Sequence, residues 1–268
     1  MFKYSLNSST IKTTPILHKI AVAAEAGYTG IELWHDDISA HVVAGGAVEE
    51  IRKCVDDHGL KVPTTIHIHG WFQPAGEEHT AAMDTAKRKL EQAAAVGAPF
   101  AVAGPPHGKA DRKLGQRHYH ELLQLGAQFG VRPAFEYLGF IEDLKTLDDA
   151  LEIVEGSAHP NACIVLDPFH CYVGGGGIES IAKLRPEQVA VSHFNDAPAD
   201  PPPHTQRDPD RVMPGDGVID LKRYCELLGQ IGYSDFVSLE LFRPDLWEQD
   251  PLEVAKIGLD KMRTVAEG

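Results

Sequence analysis

The sequence predicts a single α/β domain that covers residues 1–268 and folds as a (β/α)8 barrel. Three observations lead to this fold class. Eight short apolar runs of β type alternate with helical patterns, several helical patterns end in glycine, and the chain has 268 residues. Eight strand–helix units would take about 33 residues each (268 divided by 8), and barrels of about 250 residues commonly form one domain.

The predicted strands are short, and some contain no polar residue. Ile164-Val165-Leu166 is an uninterrupted apolar run, as expected of a strand that is buried on both faces of a parallel sheet. The eight predicted strands are residues 2–7, 30–34, 62–69, 100–103, 133–137, 163–166, 189–193 and 236–241.

Helical patterns separate these strands. They cover residues 16–26, 48–58, 80–96, 116–129 and 221–231, and Thr146 with Asp149 three positions later is a weaker helix-start signal. A glycine that can take a left-handed conformation closes a helix without a Cβ penalty. Such glycines follow five of the patterns: Gly27, Gly59, Gly97, Gly130 and Gly232.

A doubly wound open sheet is the alternative to a closed barrel, because both have right-handed crossovers between parallel strands. No Gly-x-Gly-x-x-Gly follows the first predicted strand, which disfavours the dinucleotide-binding version of that sheet. We therefore expect a closed barrel without a nucleotide cofactor.

Charge and composition narrow the classes of partner. The chain has 39 acidic and 25 basic residues, a formal charge of −14, and a negative field repels phosphate backbones. Its polar N-terminus and the lack of an uninterrupted apolar stretch of about 18 residues predict neither a signal peptide nor a membrane span. The four cysteines form no Cys-x-x-Cys pair and are typical of reduced thiols. We expect a cytoplasmic protein that binds no nucleic acid and no membrane.

Residues 195–217 form the longest stretch without a helix or strand pattern, and six prolines lie in it. A long loop inside a compact domain is usually functional or mobile. In a barrel it would follow the seventh strand on the catalytic face.

Ionisable residues lie at the ends of the last four predicted strands: Glu136, Asp167, His193 and Glu240. A buried carboxylate is unfavourable unless it is paired or binds a metal. A buried salt bridge would explain one such residue. It does not explain all four, because no predicted strand contains an inward-facing Lys or Arg that could pair with them. A divalent cation satisfies them together, and three carboxylates with one imidazole suit Mn²⁺, Mg²⁺, Co²⁺ or Zn²⁺.

Five stretches resemble the xylose isomerase-like TIM barrel superfamily of sugar isomerases and epimerases. The resemblance covers nearly the whole chain and is sharpest from Phe135 onward. The segments Asp-Arg-Val-Met-Pro-Gly from Asp210 and Glu-Leu-Phe-Arg-Pro from Glu240 look like those of inosose (2-keto-myo-inositol) isomerases. The five stretches are Phe135-Glu136-Tyr137-Leu138-Gly139, Val165-Leu166-Asp167-Pro168-Phe169-His170, His193-Phe194-Asn195-Asp196, Asp210-Arg211-Val212-Met213-Pro214-Gly215-Asp216-Gly217 and Val237-Ser238-Leu239-Glu240-Leu241-Phe242-Arg243-Pro244.

The resemblance implies roles for individual residues. Glu136, Asp167, His193 and Glu240 would be the ligands of one divalent metal ion. His170 and Arg211 would touch the substrate, and Glu142 stands where ketose epimerases of this superfamily have a second glutamate. Two of these residues have a structural alternative to substrate contact. His170 could form a hydrogen bond to Asp167, and Arg211 could form a loop salt bridge to Asp208 or Asp210.

The predicted activity follows from these ligands. A keto-polyol or sugar would chelate the metal through a ketone oxygen and a neighbouring hydroxyl, and the metal would stabilise the negative charge that develops on the carbonyl oxygen. Glu136 and Glu240, on opposite sides, would remove and return a proton through an enediolate, which moves the ketone to the adjacent carbon. The best prediction is an inosose isomerase.

Other activities share this barrel and are kept as alternatives. They are a ketose 3-epimerase, a hydroxypyruvate isomerase, a dehydroshikimate-type lyase, a non-catalytic sugar-binding subunit and an endonuclease at abasic sites in DNA. The endonuclease is disfavoured by the charge and because Val212 stands where such nucleases carry a metal-binding histidine. His67, His69, Trp34, Trp71 and Phe72 are interpreted as pocket-lining or packing residues. A monomer and a homo-oligomer are equally compatible with the sequence.

Overall fold

Eight parallel strands close into a barrel in sequence order, and helices connect them. The structure is a computed structural model that describes residues 1–268. The predicted (β/α)8 fold class is confirmed. The strands are β1 (Lys3–Asn7), β2 (Gly30–Trp34), β3 (Thr64–Ile68), β4 (Phe100–Ala103), β5 (Arg132–Glu136), β6 (Cys163–Leu166), β7 (Val189–Phe194) and β8 (Phe236–Leu239).

Ten α-helices surround or extend the barrel. They are α1 (Ile16–Ala26), α2 (His35–Val43), α3 (Val48–Asp57), α4 (Glu77–Val96), α5 (Arg112–Ala127), α6 (Leu147–Gly156), α7 (Pro168–Gly174), α8 (Leu221–Gln230), α9 (Pro244–Trp247) and α10 (Pro251–Glu267). None of them combines the length and the apolar character needed to cross a membrane.

Local signals explain where several helices begin and end. Gly27, with φ of 97°, closes α1 in the left-handed conformation. Thr146 accepts a hydrogen bond from the Asp149 backbone in a capping box that starts α6. The helix-start signal at Thr146 is therefore confirmed. The helices α2, α7, α9 and α10 were not predicted from the sequence.

The barrel has two apolar layers. Side chains alternate across a strand, so residues two positions apart face the same side. Ala134, Val165 and Val191 therefore face the barrel interior on the same side as Glu136, Asp167 and His193, respectively. These three belong to a small buried cluster inside the barrel, together with Ile66 and Phe236. A separate cluster of 58 buried residues fills the space between strands and helices. The carboxyl ends of the strands thus point their polar residues to the mouth of the barrel.

Candidate metal centre

Four acidic and imidazole side chains meet at the carboxyl ends of the last four strands. Glu136 ends β5, Asp167 follows β6, His193 lies in β7 and Glu240 follows β8. All four are buried, and one ligand atom from each lies within 4.8 Å of the others. The structure therefore brings together the four residues that the sequence singled out.

His193 is at the centre of this cluster. Its Nδ1 lies 3.0 Å from Glu136 Oε1, 3.0 Å from Glu240 Oε2 and 3.6 Å from Asp167 Oδ2, yet both ring nitrogens lack a hydrogen-bond partner. An orphaned buried nitrogen surrounded by three carboxylates is unfavourable unless a cation joins them. The donor set fits a divalent metal ion.

Burial and neighbouring charges shift the pKa values of the cluster. Burial raises the pKa of Glu136 to about 7, against the attraction of His193. Burial also opposes ionisation of Asp167, but Arg211 and His170 outweigh it and lower the pKa of that carboxyl. Burial likewise opposes protonation of His193, yet Glu240, Glu32 and Glu136 raise its pKa. The site therefore favours positive charge at its centre.

Arg211 supplies one positive charge to this site. Its Nη1 donates to Glu240 Oε2 at 2.6 Å, and its Nη2 lies 3.0 Å from Asp167 Oδ2 and 3.1 Å from Asp208 Oδ1. The expectation that the carboxylates have no basic partner is thus wrong for Asp167 and Glu240, because it considered only residues within strands. One guanidinium does not balance three ligand carboxylates, so the cluster keeps negative charge that a divalent ion can neutralise.

The guanidinium of Arg211 lies between two aromatic rings. Its central carbon is 5.0 Å from the ring centre of Phe169 and 5.2 Å from that of Phe242, within the range of cation–π attraction. Arg211 is 1% exposed. It forms the expected loop salt bridge with Asp208, while Asp210 instead accepts from the backbone of Arg207.

The carboxylate of Asp196 fixes the loop that carries Arg211. It accepts four backbone hydrogen bonds, from Ala197, Gly215, Gly217 and Ile219, at 2.8 to 3.1 Å. Glycine is required at 217, because a Cβ there would lie 2.4 Å from Asp196 Oδ1. The long segment after β7 is therefore an ordered loop over the mouth of the barrel.

His170 is buried beside Arg211 and lines the cavity. Its Nδ1 accepts a hydrogen bond of 3.2 Å from the Gly139 backbone, and its Nε2 lies 2.9 Å from Arg211 Nη2. The alternative of a ring hydrogen bond to Asp167 is not formed, since Nε2 and Oδ2 are 3.9 Å apart. Burial lowers the pKa of His170 to about 3, so the ring is neutral.

Glu32 is a buried site carboxylate that the sequence reading missed. It lies in β2, is fully buried, and places Oε2 3.5 Å from His193 Nε2. Asn7 donates through Nδ2 to both Glu32 Oε1, at 3.2 Å, and Glu240 Oε1, at 2.9 Å. The available signal was a glutamate between apolar neighbours, Ile31 and Leu33, inside a predicted strand.

A cavity of about 730 Å³ opens above the cluster. Its lining includes Glu136, Glu240, Arg211 and His170, as well as His67, His69, Trp34 and Phe72, so four of the five residues interpreted as lining or packing face it. Trp71 is instead fully buried against Phe72 and Tyr119.

Glu142 is not brought to the site. The chain turns after Gly139, with the backbone of Ile141 bonded to Leu138 O, and this turn buries Ile141 and exposes Glu142. Glu142 does not line the cavity, so the structure gives no support to the substrate contact that the resemblance implied.

Enzymes of this fold hold their catalytic residues at the carboxyl ends of the barrel strands, so fold and site define a barrel enzyme with a buried cluster that could hold a metal ion. The chain belongs to the xylose isomerase-like TIM barrel family, whose profile matches residues 20–265.

Similar proteins agree with this assignment. An inosose isomerase of Bacillus velezensis is 25% identical over 268 residues, covering 96% of this chain and 94% of the relative. Another, of Halalkalibacterium halodurans, is 27% identical over 263 residues and covers 94% and 92%. A crystal structure described as IOLI protein with a binding zinc atom superposes with a TM-score of 0.92 at 25% identity, over 99% of this chain and 98% of that one. The prediction that the chain is an enzyme of the isomerase and epimerase type is confirmed.

Proposed function

We propose that this enzyme is a divalent-metal-dependent isomerase that moves a ketone between adjacent carbons of a keto-polyol, and that 2-keto-myo-inositol is its substrate. The observation that carries the proposal is the buried cluster of three carboxylates and one unpartnered imidazole at the floor of the cavity. The inosose isomerases among the relatives support the choice of substrate.

Glu136, Asp167, His193 and Glu240 would hold the ion. Zinc is the first candidate because the similar structure is described with a zinc atom, and oxygen ligands with one nitrogen also suit Mn²⁺, Co²⁺ and Mg²⁺. When bound, the ion supplies Lewis acidity that stabilises negative charge on the ketone oxygen of the substrate.

Glu136 and Glu240 would move the proton. Both line the cavity, and they come from strands that are not neighbours, so they flank His193. One glutamate, as the carboxylate, would remove the proton from the hydroxyl-bearing carbon beside the ketone. The other, in its protonated form, would deliver a proton to the former ketone carbon, while the hydroxyl proton passes to the former ketone oxygen. Burial raises the pKa of Glu136 to about 7, which offsets the loss of basicity that a bound cation causes.

The charges of the cavity wall favour a neutral substrate. Arg211 is the only Lys or Arg in the lining, and Asp167, Asp208 and Glu240 already occupy it. Burial lowers the pKa of His67 to about 4, and it also lowers that of His69, so both rings are neutral near pH 7. A neutral cyclic ketone fits this wall better than dehydroshikimate or hydroxypyruvate, which carry a carboxylate.

Aromatic side chains complete the wall. Trp34 and Phe242 meet edge to face, with ring centres 5.8 Å apart, and both line the cavity together with Phe140. Such faces suit the C–H surfaces of a rigid ring, while the neutral imidazoles of His67 and His69 offer hydrogen bonds to its hydroxyls.

The test is proton exchange in deuterated water. Metal-loaded enzyme and 2-keto-myo-inositol are followed by NMR for loss of the ring proton beside the ketone and for the isomeric inosose. Metal-stripped enzyme is the control. A ketohexose, dehydroshikimate and DNA with an abasic site are tested in parallel. Turnover of one of these without turnover of the inosose would contradict the proposal and identify the alternative activity.

A further inference from the structure

The carboxylate of Glu32 lies inside the barrel with no Lys or Arg beside it. Its contacts are the hydroxyl of Thr64, the amide of Asn7 and, 3.5 Å away, His193 Nε2. Glu32 is fully buried, and an isolated buried carboxylate is strongly unfavourable. His193 is the third group, after Thr64 and Asn7, that can donate a hydrogen to this carboxylate.

The two ring nitrogens of His193 face opposite partners. Nδ1 points to the three carboxylates of the metal centre, and Nε2 points to Glu32. A neutral imidazole that binds a metal through Nδ1 carries its hydrogen on Nε2, and the group on that side determines this tautomer and the orientation of the ring. Glu32 Oε2 is the carboxylate oxygen on the Nε2 side of the ring, 3.5 Å away.

We propose that Glu32 is a positioning residue, which holds His193 in the Nε2–H tautomer with the Nδ1 lone pair directed into the metal centre. The inference rests on the proposed metal site. It assigns to Glu32 the carboxylate of a carboxylate–histidine–metal arrangement, a group that increases the basicity of the ligand.

Asn7 extends this role to a second ligand. Its Nδ2 donates to Glu32 and to Glu240, while its Oδ1 accepts from Trp34 Nε1 at 2.9 Å and from the Ser9 backbone at 3.0 Å. The two acceptor contacts fix which end of the amide faces the glutamates. Glu32 thus shares one donor with Glu240 and helps to fix the orientation of that ligand.

Metal affinity tests the inference directly. Glu32→Gln keeps the shape of the side chain but removes its charge, and we expect its zinc Kd to rise by roughly 10–100-fold, measured by competition with a chromophoric chelator. Glu25→Gln, at an exposed position on α1, is the control for the same chemical change and should bind zinc as the unmodified protein does. Thr64→Val, which removes a donor to Glu32 but keeps its charge, should raise Kd by less than the Gln variant.

A spectroscopic measurement separates positioning from general stabilisation. In zinc-loaded, ¹⁵N-histidine-labelled protein, long-range ¹H–¹⁵N spectra should show His193 with zinc on Nδ1 and a proton on Nε2 that is slow to exchange. In Glu32→Gln this proton should shift upfield and exchange faster. The positions of zinc and of the proton on the His193 ring are measured on the unmodified protein, so the assigned tautomer can be tested even if the variant does not fold.

Two results would overturn the inference. A proton on Nδ1 with zinc on Nε2 would contradict the assigned tautomer. A Glu32→Gln variant that binds zinc within twofold of the unmodified protein, with the His193 proton unchanged, would refute the role of Glu32 while leaving the metal site and the proposed function standing. Failure of the unmodified protein to bind any divalent ion would instead overturn the proposed function together with this inference.

Discussion

Arg211 Nη1 donates a hydrogen bond of 2.6 Å to Glu240 Oε2, which joins the loop after β7 to the strand end of β8. The same guanidinium lies 3.0 Å from Asp167. One residue from a loop therefore neutralises part of a charge cluster that the strands build. Because a bound divalent ion would neutralise the same carboxylates, the contribution of Arg211 to stability depends on whether the metal is present.

Arg211→Met should destabilise the metal-free protein by about 3–5 kcal/mol, because it leaves buried carboxylates without their partner. Saturating metal should reduce this loss. In the metal-loaded variant kcat/KM should fall by an amount that corresponds to about 1.5–3 kcal/mol of lost transition-state stabilisation, because a charged donor near the substrate is gone. Thermal unfolding with and without metal, together with steady-state kinetics, measures both effects. Arg207→Met, an exposed change in the same loop, is the control, and equal losses in the two variants would contradict the argument.

Asp196→Asn should weaken the loop that carries Arg211. The amide keeps one oxygen acceptor but loses the second, which receives the backbone hydrogen bonds of Gly215 and Gly217. We expect about 1–3 kcal/mol lower unfolding free energy and a fall in kcat/KM as Arg211 loses its fixed position. Urea unfolding and kinetics check this. Asp216→Asn, which removes only a surface ion pair with Lys261, is the control. Its unfolding free energy and its kcat/KM should change by less than those of Asp196→Asn.

The barrel and the ligand set could be predicted from the sequence because both depend on short local patterns. The predicted strands at residues 100–103 and 163–166 coincide with β4 and β6, where the apolar runs are followed at once by Gly104 and Asp167. Glu136 and His193 stood out because each charged or polar side chain interrupts a buried strand. The common edge of parallel strands then brought them together.

The contacts of Arg211 with Asp167 and Glu240 could not be predicted, because they depend on how the loop after β7 folds back. Arg211 lies far from any strand in the sequence, and its approach to Glu240 depends on the hydrogen bonds that Asp196 makes with the turn at 215–217. Glu32 was missed because the first strands carry no run of polar ends comparable with the last four. Glu142 was selected by a spacing alone, and the turn after Gly139 sends it to the surface.

His35 makes stability depend on pH. Burial lowers its pKa from 6.5 to about 3, while its Nδ1 lies 3.0 Å from Gln92 Oε1. Above pH 6.5 the ring is neutral in both folded and unfolded chains. As the pH falls towards 3, the unfolded state binds the proton first, so stability is lost across that window. Between pH 7 and pH 5 this group alone accounts for about 2 kcal/mol.

The variant His35→Asn should therefore show a smaller loss of stability on acidification than the unmodified protein, even if it is less stable at pH 7. Urea unfolding at pH 7 and pH 5 gives, for each protein, the loss of unfolding free energy on acidification. Subtracting one loss from the other removes the contribution of the other titrating groups. His58→Asn, at an exposed helix end, is the control and should keep the original pH dependence. An unchanged difference in His35→Asn would show that His35 is not the group responsible.

Glu240→Gln should abolish turnover while the fold is retained. The amide is nearly isosteric, and its single oxygen can keep the hydrogen bond from Arg211 Nη1 or the one from Asn7 Nδ2, which reach different oxygens of the carboxylate. It cannot take up a proton from the carbon beside the ketone. We expect kcat to fall by at least about 100-fold, the scale of general acid–base catalysis, with zinc still bound at saturating concentration. Glu142→Gln, an exposed change outside the cavity lining, should keep near-normal activity. The measurement combines zinc content, circular dichroism and kcat for the same samples. Glu136 and Glu240 are both proposed metal ligands, so zinc content is measured on every sample. Substantial activity of a zinc-containing Glu240→Gln protein would remove Glu240 from proton transfer and leave Glu136 as the single base.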